Sequence, residues 1–269
     1  MKRLRLYFLS ILYFFIAILT ITNNPAVSQT RGTLIYKPFK RAIYHLSVSK
    51  ELRGSSIGNI ESPLIINLDK ERMDGTFVLR MFYVSPGSGD HPNRDFVLSG
   101  EMEYRSSGLI GLLNSDHKES TQKERIYLFA PSFAKGSFFP IFPNNKSELR
   151  LGKSWKIEGV PVAYFFGPYG PIELKSTKSI ISFEWVENTK VDYFTCARIT
   201  YSIDDEYIPK DSEPYKFKCS GTVYFAIKEG IVVSDFVTVE QDCLFDKKRK
   251  KIKGYRKYRL VHYEPVDSN

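Results

Sequence analysis

Hydrophobic and polar residues alternate in short segments along most of this chain. The segments are rich in Tyr, Phe, Val, Ile and Thr, and Gly, Pro, Asn and Asp separate them. Alternation with a period of two is typical of β-strands that bury one face. Helical periodicity is nearly absent, and a short helix is predicted only near 109–120. The candidate strands are 41–49, 63–68, 75–84, 95–106, 124–130, 154–160, 172–187, 190–203, 214–228, 231–245 and 252–264.

Strands at this density favour a mainly β, antiparallel domain over an α/β fold. We predict one large curved sheet or half-barrel with long loops rich in Pro, Gly and aromatic residues. The best-defined part is a meander over 150–264, with a hairpin loop at Lys228–Gly230 that places the glycine in a left-handed conformation. In such a meander the acidic loop 204–213 and the basic loop 246–252 lie at the same end of the sheet.

The N-terminus has the pattern of a signal peptide. Three basic residues precede an apolar run from Leu6 to Ile21, and the small residues of Ala26–Ser28 suit a cleavage site. The sequence therefore predicts a signal peptide over 1–28 and a single β-rich domain over 29–269. The alternative is an uncleaved membrane anchor, although the run is shorter than the ~20 residues that span a bilayer. We expect an exported protein, in the periplasm, associated with the cell envelope, or secreted.

Composition excludes a disordered chain, because 42% of the 269 residues are hydrophobic and 14% are aromatic. The formal net charge is +9, and nine Lys and Arg residues fall within 247–259. The basicity is therefore a local feature. It is either a solvated hairpin tip or a contact with an anionic envelope surface, and export argues against nucleic acid. The candidate residues for an anionic surface are Lys247, Lys248, Arg249, Lys250 and Lys251.

Two loops, 127–143 and 161–171, combine many aromatic residues with Pro and Gly. Large apolar side chains are usually buried, so these loops are expected either to close the open face of the sheet as core or to form a hydrophobic mouth. A mouth of this kind would hold an acyl chain or dip into a membrane surface. The candidate ligand-binding residues are Phe138, Phe139, Phe142, Phe165 and Phe166.

The three cysteines, Cys196, Cys219 and Cys243, lie in the last third of the chain. Export permits disulfides, and an odd count leaves one thiol over or all three free. A bridge between Cys196 and Cys219 is the most attractive pairing, because they flank one predicted hairpin. The alternation of the two strands argues against it, since it places these cysteines on opposite faces of the sheet.

No catalytic set stands out. The segment Gly54–Gly58 matches G-x-S-x-G, but the flanking residues do not form the strand and helix of a nucleophile elbow, so a plain loop is predicted. None of the four histidines has metal-ligand spacing, and no metal or cofactor is predicted. The loop pairs Asp90–His91 and Asp116–His117 remain an alternative metal site.

Several short motifs in the C-terminal half carry a resemblance. Gly152-Lys153-Ser154-Trp155 opens a strand, Phe194–Ile199 contains a Cys-Ala pair, and Gly221–Phe225 precedes a turn at Gly230. Over about 150–264 the chain resembles exported β-rich bacterial proteins of unknown function, which are distantly like the curved-sheet Lol-type lipoprotein carriers. The resemblance implies export and a curved sheet, and it supplies no catalytic residue.

Three functional hypotheses follow. The first is a non-enzymatic exported envelope protein that binds a hydrophobic or amphiphilic ligand through its aromatic loops, with the basic hairpin near anionic headgroups. The second is a surface interaction module or adhesin whose basic hairpin binds an acidic polysaccharide or protein. The third is an unrecognised hydrolase, which requires a His and a carboxylate to converge in a cleft. The expected partners are a lipid or an anionic envelope surface, and no protein partner follows from the sequence.

Overall fold

The computed structural model describes residues 34–52, 55–85, 96–114, 140–143, 149–159, 179–207, 215–245 and 248–266. In this part of the chain eleven strands form one sheet in which all hydrogen-bonded neighbours are antiparallel. Their bounds are β1 Phe39–Leu52, β2 Ser55–Glu71, β3 Phe77–Ser85, β4 Phe96–Arg105, β5 Gly108–Asn114, β6 Ser154–Gly159, β7 Ser179–Val191, β8 Phe194–Tyr207, β9 Tyr215–Ala226, β10 Ile231–Phe245 and β11 Lys248–Pro265.

Two meanders joined along β1 and β11 build the sheet. Its order is β5-β4-β3-β2-β1-β11-β10-β9-β8-β7-β6, so each meander runs outward from the central pair. The predicted mainly β, antiparallel curved sheet is confirmed, and so is the C-terminal meander. By their contacts the residues fall into two units, 1–32 and 33–269, and all described residues belong to the second. The predicted signal peptide lies outside the described residues.

Some local predictions were wrong. The segment predicted to be helical begins as β5, and the G-x-S-x-G loop prediction fails because Ser55–Gly58 form the start of β2 and pair with β1. In the hairpin before β10, Ile231 pairs with Ala226, so the loop is one residue longer than predicted. The candidate strand 124–130 lies outside the described residues. Within the described ranges no helix is long and apolar enough to cross a membrane.

Where their burial is described, β1, β2 and β7 to β11 each bury one face, as the alternation predicts. On β10 the odd-numbered residues from Val233 to Val239 are buried, and on β11 the even-numbered residues from Ile252 to Leu260 point to the same side, with only Gly254 partly exposed. We call this side the inner face and the opposite side the outer face. Full burial of one large apolar side chain contributes about 1.5–3 kcal/mol, so the inner face supplies most of the stabilisation.

Aromatic contacts show that the sheet is strongly curved. The ring of Tyr36 lies 5.6 Å from that of Tyr104 on β4 and 5.0 Å from that of Phe225 on β9, centroid to centroid. These two strands are six neighbour spacings apart in the sheet, which is roughly 29 Å if the sheet were flat. One side chain reaches both strands only because the sheet curls around it.

The segment 140–143 connects the two edges of this curled sheet. The amide of Phe142 donates to the carbonyl of Ser107 in the β4–β5 turn, at 2.7 Å. On the other side, Nε1 of Trp155 in β6 donates to the carbonyl of Ile141, at 2.8 Å. The edge strands β5 and β6 are therefore linked through a short segment, and the phenol of Tyr36 donates to the carbonyl of Pro140 at 3.0 Å.

Gly230 allows the segment before β1 to approach the β9–β10 turn. Its φ is +70°, which places it in the left-handed region that the sequence predicted. The amide of Lys37 donates to the Gly230 carbonyl at 3.2 Å. A Cβ at this position would lie 2.7 Å from the carbonyl oxygen of Ile35 and from the amide nitrogen of Lys37. A side chain would therefore push this segment away from the turn.

Candidate ligand-binding site

A buried ion pair lies at the centre of the inner face. Asp235 on β10 is 0% exposed and Arg256 on β11 is 1% exposed. Nη2 of Arg256 donates to Oδ2 of Asp235 at 3.1 Å, and the phenol of Tyr201 on β8 donates to Oδ1 at 2.9 Å. The guanidinium also lies over the ring of Tyr258, 5.2 Å from its centroid. The carboxylate therefore has a donor on each oxygen, within a face that is otherwise almost wholly apolar.

The position of Tyr201 depends on a glycine in the next strand. Gly221 on β9 pairs with Tyr201, and a Cβ at Gly221 would lie 2.3 Å from the ring carbon Cζ. No other residue leaves room for this ring, which is why the phenol can extend over β9 to reach Asp235 on β10. Glycine is therefore required here because it has no side chain, and not because the backbone adopts an unusual conformation.

Burial dominates the ionisation of this cluster. It raises the pKa of Asp235 to about 6, although the Arg256 charge and the hydrogen bonds from Tyr201 and Arg256 act in the opposite direction. Burial also raises the pKa of Tyr201 well above its usual range, so the phenol stays protonated and remains a donor. Because the pKa of Asp235 lies near 6, its carboxyl loses its proton near that pH.

The aromatic residues predicted to bind a ligand can be placed only in part. Phe142 is 2% exposed, and its ring contacts those of Tyr36, Phe225 and Trp155 with centroids 5.0–6.2 Å apart. It therefore belongs to the core contacts that close the curled sheet. Its role in ligand binding stays a prediction. The other candidates, Phe138, Phe139, Phe165 and Phe166, lie outside the described residues.

The basic residues predicted to contact an anionic surface are divided between the two faces of β11. Lys248 and Arg249 belong to the strand, and Lys247 lies outside the described residues. Lys250 has the even numbering of the inner face and is half-buried, whereas Lys251 is exposed on the outer face. On that face Nζ of Lys251 and Nζ of Lys253 lie 3.3 and 3.5 Å from Oε1 of Glu240.

No disulfide joins Cys196 and Cys219, because both thiols are free and buried. Cys196 pairs with Ala226, seven residues along β9 from Cys219, a separation of roughly 23 Å along the strand. A disulfide requires Cα atoms about 4–7 Å apart, so the predicted bridge is wrong. The prediction that the two cysteines face opposite sides is confirmed by the register. Burial raises the pKa of each thiol to about 12, so both stay protonated.

The histidines that the structure describes are exposed. Nε2 of His45 lies 2.9 Å from Oε2 of Glu61, and Nε2 of His262 lies 2.9 Å from Oε1 of Glu264. Within the described ranges no three His, Cys, Asp or Glu side chains are grouped so that they could hold a metal ion. The loop pairs Asp90–His91 and Asp116–His117 lie outside those ranges, so that alternative stays a prediction.

Sequence reasoning missed the ion pair, although the signal was visible. The inner positions of β10 after its bulge are Val233, Asp235, Val237 and Val239, so one acid interrupts an apolar series. On β11 Arg256 interrupts a similar series. A charged residue at a buried strand position needs a partner, because an isolated buried charge is very unfavourable. What the sequence lacked was the register that brings the two residues together.

Comparison with known proteins gives distant similarities. No family model matches the chain, and no curated protein matches it. It is similar to a lipovitellin structure described by its lipid–protein interactions, with a TM-score of 0.47, 9% identity and coverage of 87% of this chain. This chain spans only 26% of that lipovitellin chain.

Two bacterial structures are similar over more of their own length. A candidate lipoprotein from Parabacteroides distasonis has a TM-score of 0.32 and 13% identity, with 85% of this chain and 97% of that chain covered. A LolA superfamily protein from Nitrosomonas europaea has a TM-score of 0.23 and 6% identity, with 90% and 93% covered. The distant resemblance to exported β-rich proteins and Lol-type carriers that the C-terminal motifs indicated is confirmed, and it carries no conclusion about a ligand.

Proposed function

We propose that this protein is an exported, non-enzymatic envelope protein that binds an anionic amphiphile on the inner face of its curved sheet. The observation that carries the proposal is the buried cluster of Asp235, Arg256 and Tyr201 in an otherwise apolar face. Ligand sites are mostly apolar concave surfaces with a few polar groups that fix the orientation of the ligand. The inner face has this composition.

Stability alone gives little reason for such a cluster. Replacing a buried ion pair by apolar residues of similar volume is often neutral or stabilising, since desolvation offsets the attraction of the charges. A pair that is kept at this cost is therefore a candidate for recognition. The guanidinium of Arg256 suits a polar group, such as the carbonyl of an ester or amide, within an otherwise apolar ligand.

We expect the anionic end of the ligand to bind near Lys250. It shares the inner face of β11 with Arg256, and their separation of six positions corresponds to roughly 20 Å of strand. Ile252, fully buried between the two cations, is apolar. An anionic headgroup near Lys250 would leave the acyl chain directed along the inner face towards the buried cluster.

The test measures the lipid that copurifies with the protein. We would express the full chain in a bacterial host, extract the purified protein with organic solvent, and quantify lipids by mass spectrometry beside an unrelated exported protein. The expected result is one anionic lipid class in equimolar amount. A clean extract, together with no binding of the anionic fluorescent fatty acid cis-parinarate, would contradict the proposal.

Two neighbouring lysines provide a matched pair of variants. Lys250→Glu changes the charge on the inner face, and Lys251→Glu makes the same change one residue away on the outer face. We expect Lys250→Glu to lose most of the lipid and Lys251→Glu to retain it, with both variants unfolding at a similar urea concentration. Loss of the lipid from Lys251→Glu but not from Lys250→Glu would favour the adhesin hypothesis, in which the exposed side of the basic hairpin contacts an acidic partner.

A further inference from the structure

A row of hydroxyl side chains crosses the outer face of the sheet. In register, Ser182 of β7 pairs with Ser202, Ser202 with Ser220, Ser220 with Thr238, and Thr238 with Tyr255 of β11. Neighbouring strands lie ~4.8 Å apart, so five successive strands present a hydroxyl at nearly regular intervals over roughly 19 Å. We call these five residues the hydroxyl row.

The hydroxyl row forms the floor of a trough. Two adjoining depressions of about 680 and 500 Å³ share Ser202, Ser220 and Thr238 among their lining residues, and these three side chains are exposed. Oγ1 of Thr238 lies 3.1 Å from Oγ of Ser220 and 3.2 Å from the Ser220 carbonyl oxygen. A hydroxyl donates one hydrogen bond and accepts two, so acceptor positions on this floor remain for a ligand.

Two exposed aromatic rings lie side by side at the β10–β11 end of the trough. Phe236 is 43% exposed and Tyr255 is 40% exposed, and both line the larger depression. Their ring centroids are 6.0 Å apart, with an interplanar angle of 31°. Adjacent rings with so small a tilt form one apolar surface, and such a surface suits the C–H faces of pyranose rings.

Most of the charged side chains that line the trough neutralise one another. Nζ of Lys218 lies 2.8 Å from Oδ2 of Asp204, and Nζ of Lys253 lies 3.5 Å from Oε1 of Glu240. A charged ligand would therefore have to compete with partners that are already present. Lys257 is also exposed and pairs in register with Phe236, so a cation at the aromatic end of the trough would be repelled.

Two carboxylates at opposite ends of the trough disfavour an anionic ligand as well. Glu184 on β7 lines the smaller depression and Glu51 on β1 lines the larger one, and both are exposed. Within the described ranges neither forms an ion pair. A free carboxylate accepts hydrogen bonds from hydroxyl groups and repels anions. The lining therefore suits a ligand that is neutral and rich in hydroxyl donors.

We propose that this trough binds an extended, neutral, β-linked glycan that lies across the strands. The sugar repeat of such a chain is close to the strand spacing of ~4.8 Å, so successive sugars meet successive members of the hydroxyl row. The faces of one or two sugars stack on Phe236 and Tyr255, and sugar hydroxyls donate to Glu51 and Glu184. The hydroxyl floor is too polar for the core of a protein interface.

The experiment titrates the full chain with three hexasaccharides, using calorimetry and amide chemical shifts. Cellohexaose and mannohexaose are the neutral probes. The acidic probe is the glucuronan hexamer, which has the linkage of cellohexaose and carries a carboxylate in place of each hydroxymethyl group. We expect cellohexaose to bind at least about tenfold more tightly than the glucuronan hexamer, because the two free carboxylates repel the acidic probe. The shifted amides should belong to β7 to β11.

Two variants test the trough itself, and a third is their control. Phe236→Ala with Tyr255→Ala should weaken the binding of cellohexaose at least about tenfold, as expected for the loss of two stacking rings. Ser220→Gln places a longer side chain on the floor and should abolish binding without changing the urea midpoint, because the position is exposed. Tyr193→Ala should bind normally, because this exposed ring lies in the β7–β8 turn, outside the trough.

The charge argument has its own variant. Glu51→Gln with Glu184→Gln removes both free carboxylates and keeps a carbonyl oxygen that accepts hydrogen bonds at each position. Cellohexaose should bind this double variant about as tightly as the parent protein, and the glucuronan hexamer should bind it more tightly than it binds the parent. An unchanged preference would contradict the roles of Glu51 and Glu184.

The proposal fails if neither neutral hexasaccharide binds at millimolar concentration, or if Tyr193→Ala weakens binding as much as the aromatic double variant. It also fails if the chain self-associates through Phe236 and Tyr255, without binding sugar, in light scattering. This trough is independent of the proposed inner-face site. The same variants should therefore keep their copurified lipid, and the failure of one proposal leaves the other intact.

Discussion

The two faces of the sheet use charged residues in opposite ways. On the inner face, Asp235 and Arg256 form an ion pair that is removed from water and surrounded by apolar and aromatic side chains. On the outer face, pairs such as Lys218 with Asp204 remain more than half exposed. Water screens the outer pairs, so each contributes little, whereas each inner charge depends on its partner. The same residue types are therefore fixed on one face and replaceable on the other.

This difference indicates where binding sites can develop. Outer-face side chains stay in contact with water, so a polar residue there needs no partner within the protein. The inner face holds its polar groups against a large desolvation cost, so a polar group there needs a compensating interaction. Measurements that compare the two faces directly can contradict this contrast.

The largest effect is expected from breaking the inner ion pair on one side. Asp235→Leu leaves Arg256 as a buried cation without its carboxylate, and the free energy of unfolding should fall by about 3–5 kcal/mol. Urea unfolding followed by tryptophan fluorescence measures the change. The double variant Asp235→Leu with Arg256→Met should recover most of the loss, because it removes both charges. A double variant as unstable as the single one would show that geometry rather than charge makes this site sensitive.

An effect of similar size is expected at Phe142, which closes the curled sheet. Phe142→Ala removes a ring that contacts three other aromatic residues, and we expect a loss of about 3–5 kcal/mol in the free energy of unfolding. Tyr193→Ala, at an exposed turn, is the control and should change stability far less. If Phe142→Ala leaves stability unchanged but reduces the copurified lipid, Phe142 acts as part of a ligand mouth and not as core.

The sequence was sufficient to predict most of the strands, but it did not predict all of the connections between them. Alternation of residue type identifies β8 to β11 because each strand has one apolar and one polar face, as at Ile199 and Thr200. The same rule missed most of β5, where the Gly-rich run Gly108–Asn114 lacks that alternation. The short β6 was found because Trp155 and Ile157 keep the period of two.

The candidate sites depend on pairing across distant strands, which local patterns do not contain. Tyr201 reaches Asp235 across 34 residues of sequence, and Ser182 aligns with Ser220 only through the register of two hairpins. Closure through Ser107 and Trp155 is less predictable still, because it joins opposite edges of the sheet. The composition of each face was therefore predictable, whereas the sites that the faces form were not.

A smaller effect is expected in the pH dependence of stability. The pKa of Asp235 rises from about 4 in the unfolded chain to about 6 in the fold, so the folded state binds more protons between these values. The contribution of Asp235 to stability is full below pH 4, declines as the pH rises to about 6, and is constant above. The decline amounts to at most about 3 kcal/mol.

The outer face contributes the opposite slope, so the measurement is a difference between two proteins. The hydrogen bond from Lys251 lowers the pKa of Glu240, and this contribution grows as the pH rises. Asp235→Asn keeps the shape of the side chain and removes its titration. Subtracting the two urea profiles between pH 4 and 7 should isolate the Asp235 slope. A difference that is flat over this range would mean that Asp235 titrates below pH 4, like an exposed acid.

The smallest effect is expected for the outer pair of Lys218 and Asp204. The hydrogen bond to Asp204 raises the pKa of Lys218, yet both side chains are well exposed. Lys218→Met should therefore leave the urea midpoint within experimental error, and 1 M NaCl should remove any residual difference because the Debye length falls to about 3 Å. A double-mutant cycle with Asp204→Asn measures the coupling. A coupling as large as that of Asp235 with Arg256 would remove the distinction between the faces, because charges would then contribute equally whether or not water surrounds them.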